Sequence, residues 1–307
     1  MGEPPPPKPI PIYVVVAHCK SDIAHLGDFI ARHQDDTQFD IQSIHILSKC
    51  GVPVQLAHPK VTFGTLPNVG REGHNYAHYI RTVLRNQTTT ILRRKDDTNE
   101  DAVVLFLKDN MDPRNIRQPG TWKPLEATIR GAASSNIGFA CGMVPWQHPA
   151  ARSAYAGFAV SAYADFGTLR QFRIGEYTSA ANYKGDGVPF ESQYPNLGSY
   201  YDSLDVQEGP MEPIVPVCYG GVFAASLRSI QRRDPNLWNR IEMSLARGDN
   251  IQEGHYMERL WGAILSSPLE PYQIEAIQNH SDHVFALPLN PLVGLMARRH
   301  SQRHSRR

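Results

Sequence analysis

The run Ile12-Tyr-Val-Val-Val-Ala17 limits the fold more than any other part of the chain. Its β-branched and aromatic residues follow one another with no polar alternation. A strand with one wet face alternates; a strand covered on both faces does not. The run therefore predicts an interior strand with layers on both sides. Ser21 or Asp22 then caps a helix that carries Ile23, Leu26, Phe29 and Ile30 on one face. Residues 41–47 predict a second strand, with Cys50-Gly51 as its turn. Strand, helix and strand within about 35 residues form a βαβ unit with a right-handed parallel crossover.

The alternation of elements continues. Residues 72–84 predict a helix with Tyr76, Tyr79, Ile80, Val83 and Leu84 on its apolar side. Residues 102–107 predict a third buried strand, running into Lys108-Asp-Asn-Met-Asp112. Residues 124–133 suit a helix and 137–141 a short strand. Residues 217–224 predict another strand, with Ser226 capping a helix, and residues 236–246 and 253–265 predict two more helices. The fold class is α/β, with a mostly parallel central sheet flanked by helices. Between them, residues 145–216 are rich in Tyr, Gly, Ser and Ala and poor in periodicity. They read as a long irregular excursion, with a helix near residues 154–169, and such excursions usually carry binding loops.

Composition narrows the function classes. Hydrophobic residues make up 41% of 307, enough for a real core, so wholesale disorder is excluded. The 31 basic and 30 acidic residues nearly cancel. That balance is no footprint for nucleic acid and gives no bulk attraction to an anionic membrane. Apolar runs fall far short of the ~18 residues of a transmembrane segment. Residues 1–11 form a Pro-rich leader without the apolar core of an export signal. Residues 291–307 form a basic tail, read as a solvated terminus. With no repeat or linker between them, residues 12–290 read as one domain. The four cysteines lack C-x-x-C spacing, which disfavours a zinc ribbon or redox motif; four are compatible with two disulfides, but without an export signal scattered buried thiols are the expectation. Asn86-Gln-Thr and Asn279-His-Ser fit the glycosylation pattern, so the compartment stays open between secretory lumen and cytoplasm.

Four constellations could carry chemistry. In Pro67-Asn-Val-Gly-Arg-Glu-Gly-His74 a glycine turn opens a helix, with Asn68, Arg71 and Glu72 at its start. Free N–H groups and a guanidinium there suit a phosphate; alternatively, Glu72 simply complements the helix dipole. Lys108, Asp109, Asn110 and Asp112 follow a buried strand, where α/β sheets bind ligands. Asp109 and Asp112 could ligate Mg²⁺ or Mn²⁺, or the segment is a plain Asx-rich turn. In Glu253-Gly-His-Tyr-Met-Glu258, Glu258 borders an apolar helical stripe. Partial desolvation should raise its pKa, as a general base needs; the alternative is an ion pair with a nearby arginine. In Cys218-Tyr-Gly-Gly-Val222, two glycines inside a strand would admit a close neighbour.

The order of these motifs resembles the domain-of-unknown-function 3431 family. The shared landmarks are Val14-Val-Val-Ala-His-Cys19, Pro67-Asn-Val-Gly-Arg-Glu72, Tyr219-Gly-Gly-Val-Phe-Ala-Ala-Ser226 and Tyr256-Met-Glu-Arg-Leu-Trp261. That family in turn resembles GT-A glycosyltransferases. Gly220, Gly221, Ser226 and Glu258-Arg-Leu-Trp261 are similar to the Gly-rich strand and Glu-x-x-Trp helix of metal-independent core-2/xylosyltransferase-type enzymes. The resemblance implies a GT-A-like domain moving a sugar from a nucleotide-sugar donor to a carbohydrate or other acceptor hydroxyl. It implies Glu258 as base, with Ala17, His18, Asn68, Arg71, Glu72, Lys108, Asp109 and Asn110 around the donor. Trp146, Tyr219, Gly220, Gly221 and His255 would face the acceptor. Asp109-Asn110-Met111 departs from the Asp-x-Asp of metal-dependent GT-A enzymes, which leaves Mn²⁺ or Mg²⁺ at Asp109 and Asp112 and a metal-free site as alternatives. A catalytically silent carbohydrate- or nucleotide-binding protein and a metal-dependent phosphoester hydrolase are the competing functions.

Overall fold

The computed structural model describes residues 8–33, 36–54, 56–84, 102–110, 122–144, 162–170, 172, 187–207, 214–272 and 274–275. The chain divides into two compact units. Met1–Trp146 with Ser161–Pro268 contains every strand and helix named below. Gln147–Val160 with Leu269–Arg307 forms the other, where the described residues make one helical turn closed by Ile274 N–H on the Glu270 carbonyl, 3.1 Å.

In chain order the elements are β1 (Ile10–His18), α1 (Ala24–Arg32), β2 (Phe39–Ser48), β3 (Val61–Thr65) and α2 (Arg71–His78). After β4 (Val103–Lys108) come α3 (Leu125–Ser134), β5 (Phe139–Cys141) and β6 (Asp165–Thr168). The last are α4 (Leu197–Ser203), β7 (Ile214–Val217), β8 (Phe223–Ser226), α5 (Leu227–Gln231), α6 (Pro235–Ser244) and α7 (Gln252–Leu265). The main sheet runs β3-β2-β1-β4-β8-β5. Its first four strands are parallel, and β8 is antiparallel to both neighbours. β6 and β7 form a separate antiparallel pair.

β1 lies in the middle, with Val14 opposite Ile44 of β2 and Leu105 of β4. Period-2 alternation then sorts the apolar run. Ile12, Val14 and Val16 join Leu26, Phe29 and Ile30 of α1 and Ile129 and Ala132 of α3. A second, aromatic cluster ties α2 and α7 to the strands. Tyr76 lies 5.1 Å from Phe106, Phe106 4.6 Å from Phe223, and Phe223 5.4 Å from Trp261. All four rings are fully buried. Two covered faces explain why the strand shows no polar alternation.

Several expectations need correction. The cysteines are not free thiols: Cys19–Cys50 and Cys141–Cys218 are disulfides. Parallel pairing of β1 with β2 sets His18 opposite Ser48, so the residues just beyond them meet, with Cα atoms 4.8 Å apart. Residues 217–224 are not one strand. Gly220 and Gly221, at φ 84° and 66°, form a turn between β7 and β8. Part of the helix expected near residues 154–169 is strand β6, because Asp165–Thr168 finds a partner in β7; residues 154–161 lie outside the described ones. The helix expected over 72–84 begins as α2 and widens into a π-helix at Tyr79–Leu84. Strand β3 had no sequence signal: its Phe63 is exposed at the sheet edge. Among the described residues, no helix is long and apolar enough to cross a membrane.

Candidate functional site

Parallel strands β1, β2 and β4 end on one side of the sheet, at His18, Ser48 and Lys108. A cavity of about 490 Å³ opens there. Ala17, His18, Asn68, Arg71, Glu72, Lys108, Asp109 and Asn110 all line it. These are the eight residues expected around a donor. His255, expected on the acceptor side, shares the same wall. Trp146 and Asp112 lie outside the described residues. Cys19 and Asn75, beside His18 and Glu72 in the same two segments, also line it, and the sequence reading missed Lys49, Asp249 and Asn250, which complete the lining.

Asp109 holds the rim together. Its buried carboxylate accepts at Oδ2 from the backbone N–H groups of Cys19, Lys20 and Ser21, at 2.7, 2.9 and 2.9 Å. The Asp109 N–H in turn donates to the Ala17 carbonyl, 3.0 Å. The segment after β1 is thus clamped to the end of β4. His18 is buried, with Nδ1 3.0 Å from Ser48 Oγ across the strand pair.

Arg71 opens α2 from an unusual backbone. Gly70 and Arg71 both have positive φ, 61° and 51°. The Arg71 Nη1–H donates to Glu258 Oε2 at 3.3 Å and to His255 Nδ1 at 3.0 Å, and Nε lies 3.9 Å from Glu72. A guanidinium only donates, so His255 Nδ1 is the acceptor and its Nε2–H donates to Asn250 Oδ1, 3.0 Å. Burial and the Arg71 charge lower the His255 pKa to about 4, which keeps the ring neutral. Burial opposes the Arg71 charge, but Glu72, Glu258 and Asp249 outweigh it and raise its pKa.

Glu258 is not on the cavity wall but is bound to it through Arg71. Its side chain is 12% exposed. The other oxygen, Oε1, accepts the Gly220 N–H at 2.7 Å. The expected upward pKa shift is overturned. Burial pushes the carboxyl up, but Arg71, Arg259 and Lys108, with the Gly220 N–H, hold it well below the usual carboxylate range. The arginine ion pair considered as an alternative is therefore present.

The glycine turn makes this possible. A side chain at Gly220 would place Cβ 2.4 Å from Trp122 Cη2, and one at Gly221 would meet Glu72 Oε1 at 2.6 Å. The close neighbours expected at these glycines are thus an indole and a carboxylate. Tyr76 Oη sits 2.8 Å from the Leu107 carbonyl and 2.7 Å from that of Gly221, tying α2 to both β4 and the turn. Tyr219 lies under Arg259, whose guanidinium carbon is 5.3 Å from the ring centre.

Comparison of the chain with protein-family models and with curated proteins found no match to either.

Of the two residues expected to hold a divalent ion, Asp109 is described and Asp112 is not. Asp109 Oδ2 already serves three N–H groups, leaving Oδ1 as its only uncommitted oxygen. Among the described residues no three His, Cys, Asp or Glu side chains gather to hold a metal. The cavity wall carries three cations, Lys49, Arg71 and Lys108, and three carboxylates, Glu72, Asp109 and Asp249, so any anion bound there would lie against the guanidinium and ammonium groups.

Proposed function

We propose that this chain is a GT-A-like glycosyltransferase whose cavity takes the nucleotide diphosphate of a sugar donor. One observation carries the reading: eight residues from three separate segments converge beyond the carboxyl ends of β1 and β4, with two cations among them and Glu258 next door. Nucleotide ligands of open α/β sheets bind at that edge. The parallel run β3-β2-β1-β4, followed by antiparallel β8, supports the GT-A-like description.

In this reading, Arg71 and Lys108 neutralise the leaving diphosphate. The acceptor hydroxyl gives its proton to Glu258 as its oxygen attacks the anomeric carbon, and the sugar–phosphate bond breaks on the opposite face. A single displacement of this kind inverts the anomeric centre. A diphosphate in the cavity also competes for the Arg71 guanidinium. Charge drawn away from Glu258 makes that carboxylate a stronger base when donor is present. The two disulfides favour an oxidising compartment, such as the secretory lumen.

A second reading has its own support. Glu258 is fully engaged by Arg71 and Gly220, as befits a binding protein on the same scaffold with no working base. A thermal-shift screen of nucleotide sugars, with and without Mn²⁺, tests the first step, since bound ligand raises stability by mass action. A shift with a nucleotide sugar supports the donor site; no shift at millimolar donor refutes it. Sugar transfer to an acceptor then separates the enzyme from the silent binder.

A further inference from the structure

We propose that Lys49 is the positioning residue that holds Arg71 in the cavity and itself presents a charge to the bound diphosphate; this rests on reading the cavity as a diphosphate site. Lys49 follows the last residue of β2, beside the Cys19–Cys50 disulfide, and lines the cavity. Its ammonium donates to the backbone carbonyls of Val69 and Arg71. Those carbonyls flank Gly70 and end in Arg71, the stretch of positive φ that opens α2. A non-glycine residue at φ 51° costs energy and persists only where its surroundings impose it. Lys49 supplies part of that imposition, and the Gly70 N–H on the Gly248 carbonyl, 2.7 Å, supplies another. Lys49 therefore fixes the direction in which Arg71 enters the cavity.

An ammonium has three donors, and two go to these carbonyls. Among the described residues the third has no acceptor within hydrogen-bond reach. The charges around it are mixed. Glu72 of α2 and Asp249, in the segment before α7, favour the ammonium, while His74 lies near enough to feel it. Burial wins and lowers the Lys49 pKa to about 8. A buried cation with a spare N–H facing a polar cavity is suited to an anionic ligand. Arg71, whose pKa is raised by its carboxylate neighbours, keeps its charge at alkaline pH far better than an amine with that pKa.

The test measures binding of ADP and inorganic pyrophosphate by calorimetry between pH 7 and 9. The unaltered protein, Lys49→Met and Lys49→Arg are compared. Losing a charge-assisted hydrogen bond should weaken binding by roughly ten- to a hundredfold in Lys49→Met at pH 7. The unaltered protein should lose affinity as the pH rises through about 8. Lys49→Arg should keep its affinity there, and the ratio between the two proteins cancels titration of the ligand itself. A merely structural lysine would not give an affinity ratio that changes with pH. If the unaltered protein binds either probe and all three proteins share one pH profile, the Lys49 assignment is overturned while the donor-site reading stands. If the unaltered protein binds neither probe, both fall.

Discussion

Arg71 Nη1 and Glu258 Oε2 stand 3.3 Å apart, joining the first residue of α2 to the middle of α7 across 187 residues of sequence. The pair places a cation of the cavity wall in contact with the carboxylate proposed as the base. It also couples Glu258 electrostatically to the cavity.

Replacing Glu258 by Gln should therefore separate two properties. Turnover should fall by at least about a hundredfold, the usual contribution of general base catalysis. Donor affinity should hold or rise, because Arg71 loses its competing partner. Because the surrounding charges depress the Glu258 pKa, the carboxylate stays ionised down through mildly acidic pH. Turnover should show no loss of the base between pH 7 and 5. Initial rates and calorimetric donor titration read both effects; unchanged turnover in the variant would remove Glu258 from the mechanism.

The glycine turn offers a sharp stability contrast. Gly220→Ala must fit a Cβ 2.4 Å from Trp122 at φ 84°, and Gly221→Ala must displace Glu72 at φ 66°. Each should cost at least about 1–3 kcal/mol. Gly51 also has positive φ, at 68°, but open space around it, so Gly51→Ala carries backbone strain alone and should cost less. Urea denaturation of the three variants checks the order, and equal costs would mean that the turn is not tightly packed.

The cysteine pairing is directly measurable. Unfolded, unreduced protein should react with no equivalents of a thiol reagent, whereas reduced protein should expose all four cysteines. Replacing Cys141 and Cys218 together by alanine should cost about 2–5 kcal/mol, the usual loss on removing a native disulfide. Four reactive thiols before reduction would contradict the pairing.

Glu242 provides a pH-dependent stability test away from the cavity. Its Oε1 lies 2.9 Å from His78 Nδ1, and Arg81 bonds both oxygens. Burial would raise its pKa, but these partners win and lower it to about 2. A depressed carboxyl stabilises the fold above its unfolded pKa of ~4.3 and loses that contribution as pH falls through the folded value. Glu242→Gln should be less stable by about 1–3 kcal/mol near neutrality, and the gap should close between about pH 4.5 and 2. A gap that does not change with pH would show that the ion pairs contribute nothing.

The parts that were legible in the sequence are those that repeat a pattern. Val14 to Val16 and Val103 to Leu107 announced buried parallel strands because every residue in them is apolar. Strand ends then pointed to Ala17, His18, Lys108 and Asp109, since ligands gather there. Lys49, Asp249 and Asn250 were not legible: each is a single polar residue whose place depends on how distant segments meet. The Gly220-Gly221 turn hid inside a continuous apolar run, and β3 hid for the opposite reason, being short and half exposed. The Glu258 pKa was misjudged because burial is visible in a helical stripe, whereas Arg71, 187 positions away, is not.

The two disulfides differ in when a growing chain can make them. Cys50 follows Cys19 by 31 residues, so the first bond can close once β2 has been synthesised. Cys218 follows Cys141 by 77, and Asp249 and His255 come later still. The segments that carry Lys49, Arg71 and Lys108 are likewise synthesised before α7, which carries Glu258. A nascent chain halted before α7 would contain Arg71 without the Glu258 carboxylate that it pairs with.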